Sequence, residues 1–252
     1  MKTGPEFIEK TKYRHLSRSD QILNLPQPPL ELEYDSAAPM IELPQDMAKY
    51  TSDLTSDLTT ALENRRSLRQ YSHQPLTLTE LSYLLWYTQG IKKTFAYGSL
   101  RTVPSAGARH ALETWLVVNN VAGLQAGLYR YIASRHQLAL VSHAVDGDLG
   151  AEAARICHNQ SFVTSAAALF VWVAIPYRMT WRYTDRGYRY LFLDAGHVCQ
   201  NLYLASESVG AGVCAIAAYD DNAMNAFLGL DGESAFAIYM ATVGKKPAHG
   251  AE

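Results

Sequence analysis

The chain has 252 residues, 48% of them hydrophobic and 18% charged, which excludes a disordered chain and predicts an ordered domain with a sizeable core. Lys plus Arg (22) nearly balances Asp plus Glu (24), so the formal charge of −2 gives no global attraction to nucleic acid or to acidic membranes. Cys157, Cys199 and Cys214 are odd in number and lack C-x-x-C spacing, which predicts buried thiols in a reduced, cytoplasmic setting and no zinc site. No apolar run approaches the roughly 18 residues of a membrane span, and the N-terminus lacks a signal peptide's apolar core, so a soluble protein is expected.

Residues 1–50 read as an extended arm. Pro26, Pro28, Pro29, Pro39 and Pro44 break any long helix, while Leu23, Leu25, Leu30, Leu32 and Tyr34 give the arm apolar surface to lay on the main domain or on a second subunit. The same composition also suits a partly disordered leader. Residues 51–252 form the remaining domain. A helical pattern over 53–65 ends in an arginine cluster. Thr77-Leu78-Thr79-Glu80 has capping-box spacing, and Leu78, Leu81, Leu84 and Leu85 continue it as an apolar helical stripe that Gly90 stops. Residues 88–103 read as a loop.

Strands are predicted over 113–119, 127–132 and 137–141, a helix over 148–159, and a fully buried strand over 168–175. A second loop spans 176–190. It leads into a long helix over 188–208 that is apolar on every side, the pattern of a central or interface helix. A short strand (212–217), a helix capped by Asp220-Asp221 (221–228) and a last strand (235–243) complete the chain. Strands and helices mix without strict alternation, so the class is α+β, one domain with helices over a central sheet.

Three segments carry chemistry. Asn64-Arg65-Arg66-Ser67-Leu68-Arg69-Gln70-Tyr71 concentrates forked guanidinium donors and a hydroxyl, which suits a phosphate monoester; by itself it equally suits a solvated basic helix end. Val103-Pro104-Ser105-Ala106-Gly107-Ala108-Arg109-His110 brackets small residues with Pro and Gly, so that backbone can approach a flat ligand; by itself it is an ordinary turn. Thr242-Val243-Gly244-Lys245-Lys246-Pro247 runs a strand into two lysines. His197 and Asn201 share a helix face, where a lone histidine is a satisfied core residue more often than a ligand.

In this order the three segments resemble the nitroreductase family of FMN-dependent enzymes, which carry R-R-S-x-R, then P-S-x-x, then a basic residue after the last strand. Asp194-Ala195-Gly196-His197-Val198-Cys199-Gln200-Asn201-Leu202 and Val209-Gly210-Ala211-Gly212 are also similar to that family's core. The resemblance covers about residues 55–246. Within the family the chain looks most like the SagB-type dehydrogenases, which oxidise azoline rings to azoles in peptide natural products. Thr11-Lys12-Tyr13, Pro104 to His110, Gly187-Tyr188-Arg189-Tyr190 and Asp194 to His197 carry that likeness.

The resemblance implies a nitroreductase-like fold, with a central mixed or antiparallel sheet covered by helices and FMN at a homodimer interface. Arg65, Ser67 and Arg69 would then hold the FMN phosphate and ribityl chain with Arg66 in support, and Lys245 or Lys246 would return to the phosphate. Pro104, Ser105, Ala106 and Gly107 would lie against the isoalloxazine, and Arg109 or His110 would take the place of a family asparagine. Backbone N–H groups around Ala217 and Ala218 would face flavin N5 and O4, where small side chains, Ala215 among them, let a planar ring approach.

Arg182-Tyr183 falls where azole-forming relatives carry a Lys-Tyr pair. An arginine stays protonated and is a poor general base, which departs from that pattern, whereas Tyr183 can still exchange a proton. Read without the resemblance, the segment is a mobile polar lid. NAD(P)H is a candidate hydride donor, and one pocket used alternately by donor and acceptor implies ping-pong kinetics. Three functions stay open: a SagB-like dehydrogenase acting on a small molecule or modified peptide, a general NAD(P)H-dependent nitro or quinone reductase, and a flavin-binding subunit that organises a biosynthetic complex.

Overall fold

In a computed structural model the chain is described over residues 2–45, 57–143 and 148–247. The N-terminal segment begins with a helix, α1 (Thr3–Lys10), where extended chain is predicted. Pro5 sits in its first turn, where the missing N–H is not needed, and Glu6 forms an i,i+4 ion pair with Lys10. Beyond a 3₁₀ turn at Tyr13–His15 the arm is irregular until β1 (Met40–Glu42).

Next come α2 (Leu58–Asn64), β2 (Leu76–Thr77), α3 (Leu78–Gln89), the hairpin of β3 (Ile91–Phe95) and β4 (Gly98–Arg101), β5 (Leu112–Val118) and β6 (Val121–Ala122). β7 (Gly127–Ile132), β8 (Gln137–His143), α4 (Leu149–Ile156), α5 (Phe162–Ser165), β9 (Ala168–Ala174) and α6 (Pro176–Tyr183) follow. The chain ends with α7 (Gly187–Ser208), β10 (Ala211–Ile216), α8 (Asp221–Leu228) and β11 (Phe236–Lys245). The predicted helix over 53–65 is seen from 58; residues 53–56 lie outside the described residues.

Two expected loops turn out to be structured. Residues 88–103 finish α3 and build the β3–β4 hairpin, and residues 176–183 are helical. Pro176 pre-sets the first turn of α6, and Pro176, Arg178, Met179 and Trp181 are buried; its many polar residues mask that packed face in the sequence. The predicted capping box is present. Thr77 Oγ1 accepts from Glu80 N–H at 3.1 Å while Glu80 Oε2 accepts from Thr77 N–H at 2.9 Å.

Seven strands form one sheet in the order β1-β8-β7-β5-β9-β11-β10, and every neighbouring pair is antiparallel. β5 and β9 at its centre are buried along their whole lengths. Along β9 the side chains alternate between two cores. Ala168, Phe170, Trp172 and Ala174 pack on the face covered by α3 and α7, and Leu169, Val171 and Val173 on the face covered by α4 and α8. α7, 22 residues and so about 33 Å long, spans the first face.

The arm is held by side chains that reach for its backbone. Leu23 and Leu25, expected to bury, are 49% and 45% exposed. Instead, Arg178 Nε donates to Pro29 O at 2.7 Å, and Arg130 donates to both Leu32 O and Glu33 O at 2.7 Å. Arg186 and Arg189 donate to Thr11 O and Thr11 Oγ1 at 3.0 and 2.6 Å. Irregular backbone leaves carbonyls without ladder partners, and a guanidinium fork supplies donors for two at once. Glu113, 5% exposed, lies between Arg178 and Arg130 at 2.7 and 3.1 Å and also accepts from Leu32 N–H.

Candidate functional site

The arginine cluster follows α2 and lies along β10. Ser67 forms a parallel bridge with Val213, and Leu68 N–H donates to Val213 O at 2.8 Å. Two glycines make this docking possible. Gly212 and Gly244 are cross-strand partners, and a Cβ on either would meet Leu68 at 2.3 Å or Tyr71 at 2.7 Å. The Ser67 hydroxyl pairs with Tyr203 Oη at 2.9 Å, and that oxygen also accepts from Ala215 N–H at 3.0 Å. Arg65 stacks over the Tyr203 ring at 5.4 Å. Arg66, Ser67 and Arg69 are exposed, and among the described residues none of the three arginines has a carboxylate partner. Three guanidinium groups with no carboxylate partner among the described residues, beside a hydroxyl, suit a phosphate. Past the end of β10, Ala217 and Ala218 are exposed, as a close approach by a flat ring requires.

The two lysines are already engaged. Lys245 Nζ contacts Glu80 Oε1 at 2.5 Å and donates to Val209 O at 2.7 Å, and Lys246 Nζ contacts Glu207 Oε2 at 2.5 Å. Either lysine would have to leave a carboxylate to reach a phosphate. Ser72 N–H donates to Lys245 O at 2.9 Å, so this strand end does adjoin the arginine segment.

The glycine loop is set by α7. Ser105 Oγ donates to Asp194 Oδ2 at 2.5 Å and accepts from His110 N–H at 2.8 Å, while Ala106 N–H donates to Asp194 Oδ1 at 3.3 Å. Burial raises the Asp194 carboxyl above its ordinary value, opposed by the Ser105 hydroxyl. Gly107, Ala108 and His110 have φ of 57°, 53° and 44°, a strained run that these contacts hold in place. His110 Nε2 lies 3.1 Å from Ser99 O, and burial, aided by the Arg101 charge, pushes its imidazole down to about 3.

Arg182 and Tyr183, at the end of α6, meet this loop directly. A Cβ at Gly107 would lie 2.4 Å from Tyr183 Oη and 3.1 Å from Arg182 Nε. Tertiary structure therefore joins Pro104–Arg109 to Arg182-Tyr183. Arg109 is buried: Nε donates to Arg178 O at 3.2 Å and the guanidinium stacks over Trp181 at 5.1 Å. The arginine segment stands apart. It meets α7 at Tyr203, nine residues from Asp194 and so about 14 Å along the helix, and no hydrogen bond or ion pair among the described residues joins the two groups.

Tyr203, Asp194, Glu80 and Trp181 hold the predicted residues in place and are missed as site residues. Asp194 leaves a trace in sequence, an acid among the buried positions Leu191, Ala195 and Val198 of α7, and Glu80 is legible only as the capping-box acid. Cys157, Cys199 and Cys214 are free and buried. Among the described residues no helix is long and apolar enough to cross a membrane.

The chain belongs to the nitroreductase family, whose profile, described as "Nitroreductase family", matches residues 62–245. A Methanocaldococcus jannaschii protein, MJ1384, that bears a provisional nitroreductase name is 36% identical over 185 residues, covering 73% of this chain and 89% of that one. Trifolitoxin-processing protein TfxB of Rhizobium leguminosarum bv. trifolii is 31% identical over 112 residues, covering 44% of this chain and 30% of that protein. A solved structure from Ralstonia eutropha, also provisionally named a nitroreductase, superposes with a TM-score of 0.66 at 26% identity, over 89% of this chain and all of that one. The nitroreductase-like fold and the oxidoreductase family are thereby established.

Proposed function

We propose that this chain is an FMN-dependent oxidoreductase of SagB-like type, a cytoplasmic homodimer acting on a small molecule or a modified peptide. The observation that carries the reading is the arginine segment: Ser67 and Leu68 are locked to Val213 and Tyr203 while Arg65, Arg66 and Arg69 keep no carboxylate partner among the described residues. Buried thiols suit a reduced compartment. The likeness to a trifolitoxin-processing protein supports a peptide-derived substrate.

When bound, FMN supplies hydride transfer at N5. Arg65, Ser67 and Arg69 hold its phosphate, with Arg66 in support, and Lys245 or Lys246 assists only after releasing Glu80 or Glu207. Ala217 and Ala218 leave room for the ring. Pro104 to Gly107 present main chain to it from the other subunit, which fits the separation of the two groups along α7. Asp194 positions that loop through Ser105. Tyr183 holds or passes a proton at Oη, and Arg182 stays a cation, so it attracts negative charge and does not remove a proton. In this reading the 51–252 domain carries the cofactor and the 1–50 arm walls one side of the cavity beside the glycine loop.

A visible absorption spectrum of the purified protein, before and after anaerobic NADPH, tests the reading. A two-banded yellow spectrum with releasable FMN is expected, with the bands persisting under NADPH. Bleaching by NADPH would move the function to a general nitro or quinone reductase. A colourless protein that FMN cannot reconstitute would remove the proposal.

A further inference from the structure

Beside the glycine loop lies a cavity of about 400 Å³. Arg109 and Arg182 both line it. Arg109 is 3% exposed, and its Nη2 has no partner among the described residues; Arg182 is exposed. Neither has a carboxylate within ion-pair distance among the described residues. Two like charges in one partly dry space repel, and a buried guanidinium donor left unpaired is costly. An anion relieves both conditions at once.

Aromatic side chains form another part of the wall. Trp181 stacks on Arg109, Phe95 ends β3 and Tyr97 lies in the turn that follows it, 44% and 77% exposed. The N-terminal arm closes over the same space. Gln21 N–H donates to Trp181 O at 2.9 Å, and the Gln27 side chain donates to Tyr97 O at 3.4 Å.

We propose that this cavity is a carboxylate subsite for a ligand bearing one carboxylate next to a flat apolar group. The planar forks of Arg182 and Arg109 match a carboxylate's two oxygens, and the aromatic wall takes the flat group. If the chain is the oxidoreductase proposed above, on which this clause rests, the carboxylate is the substrate's own and brings its neighbouring bond beside Tyr183.

Isothermal titration calorimetry of the full chain with sodium benzoate and, separately, with neutral benzamide tests the subsite. Saturable benzoate binding is expected, with benzamide at least tenfold weaker. Arg182→Gln, at an exposed position, weakens benzoate at least tenfold and leaves benzamide unchanged, with circular dichroism as the folding control. Equal affinity for the two compounds, no benzoate binding, or an unchanged benzoate affinity in Arg182→Gln overturns the subsite. Loss of the benzoate preference in Arg182→Gln decides the matter, because the open arginine segment can also attract an anion. A colourless chain whose benzoate preference disappears in Arg182→Gln would keep the subsite and remove the flavin, and a yellow chain without any preference would do the reverse.

Discussion

Arg65, Arg66 and Arg69 stand along the edge of β10 with no carboxylate partner among the described residues, whereas Arg101, Arg109, Arg130 and Arg178 are each at most 8% exposed. Each of the four buried arginines keeps at least one nitrogen without a hydrogen-bond partner among the described residues, but the group is tied down through its other donors. Arg130 and Arg178 share Glu113, Arg101 donates to Gln89 Oε1 at 3.1 Å, and Arg109 donates to Arg178 O. Two of the four spend their donors on carbonyls of the arm. The same side chain therefore serves architecture where it is dry and paired, as Arg130 and Arg178 are, and is left available for an anion where no carboxylate among the described residues meets it. The contrast lies in the partners, since the charge is identical.

Removing the counter-ion of the buried group should have the largest effect. Glu113→Gln leaves Arg130 and Arg178 facing each other without their shared carboxylate, and breaking a buried pair in this way costs about 3–5 kcal/mol. Urea unfolding should show that loss, and limited proteolysis should cut within residues 2–34 faster than in the parent chain. A loss below about 1 kcal/mol would mean that the carbonyls, rather than Glu113, hold these arginines.

Arg69→Ala probes the open group. Folding stability should stay within about 0.5 kcal/mol of the parent, as for an exposed surface position. FMN affinity should fall roughly 10- to 100-fold, the equivalent of one charge-assisted hydrogen bond of about 1.5–3 kcal/mol. Fluorescence titration of flavin would measure it, and an unchanged affinity would erase the distinction between the two groups.

The smallest effect concerns His110, which lies against Arg101 and Arg109. Its folded value is about 3 against an ordinary 6.5. Above pH 6.5 neither folded nor unfolded chain holds the proton, and the group contributes nothing to the pH dependence. As pH falls from 6.5 toward 3 the unfolded chain binds it and the folded chain does not, so stability drops by at most about 1.4 kcal/mol per unit. His136, also lowered by burial, adds a slope of the same sign, so the difference between parent and variant isolates His110. His110→Asn, which tolerates the positive φ, should show a flatter decline between pH 7 and pH 5 in urea melts. Parallel declines would assign the slope elsewhere.

The sequence made legible whatever rests on local rules. Thr77 and Glu80 cap α3 because a hydroxyl and a carboxylate three residues apart satisfy each other's backbone donors, whatever lies around them. β9 announces itself as an unbroken apolar run and β5 through its apolar end, Trp115 to Val118, and the clustered arginines stand out by sheer density. α6 stayed hidden because its Arg, Tyr and Thr residues look solvated, although Arg178 is 1% exposed once Glu113 and Pro29 O receive it. The leucines of the arm point to apolar docking, yet guanidinium forks from α6, α7 and β7 hold it.

By itself, then, the sequence determined the class of fold, the order of its central elements and the position of the arginine segment, all consequences of periodicity, caps and local charge. Tertiary structure alone decided that Gly107 rests on Tyr183 and Arg182, that Asp194 anchors Ser105, and that Lys245 and Lys246 already have carboxylate partners. Those contacts join residues about 40 to 165 positions apart. No local pattern encodes such pairings, because they arise only when packing brings distant elements within a few ångströms and removes the water that would otherwise satisfy them.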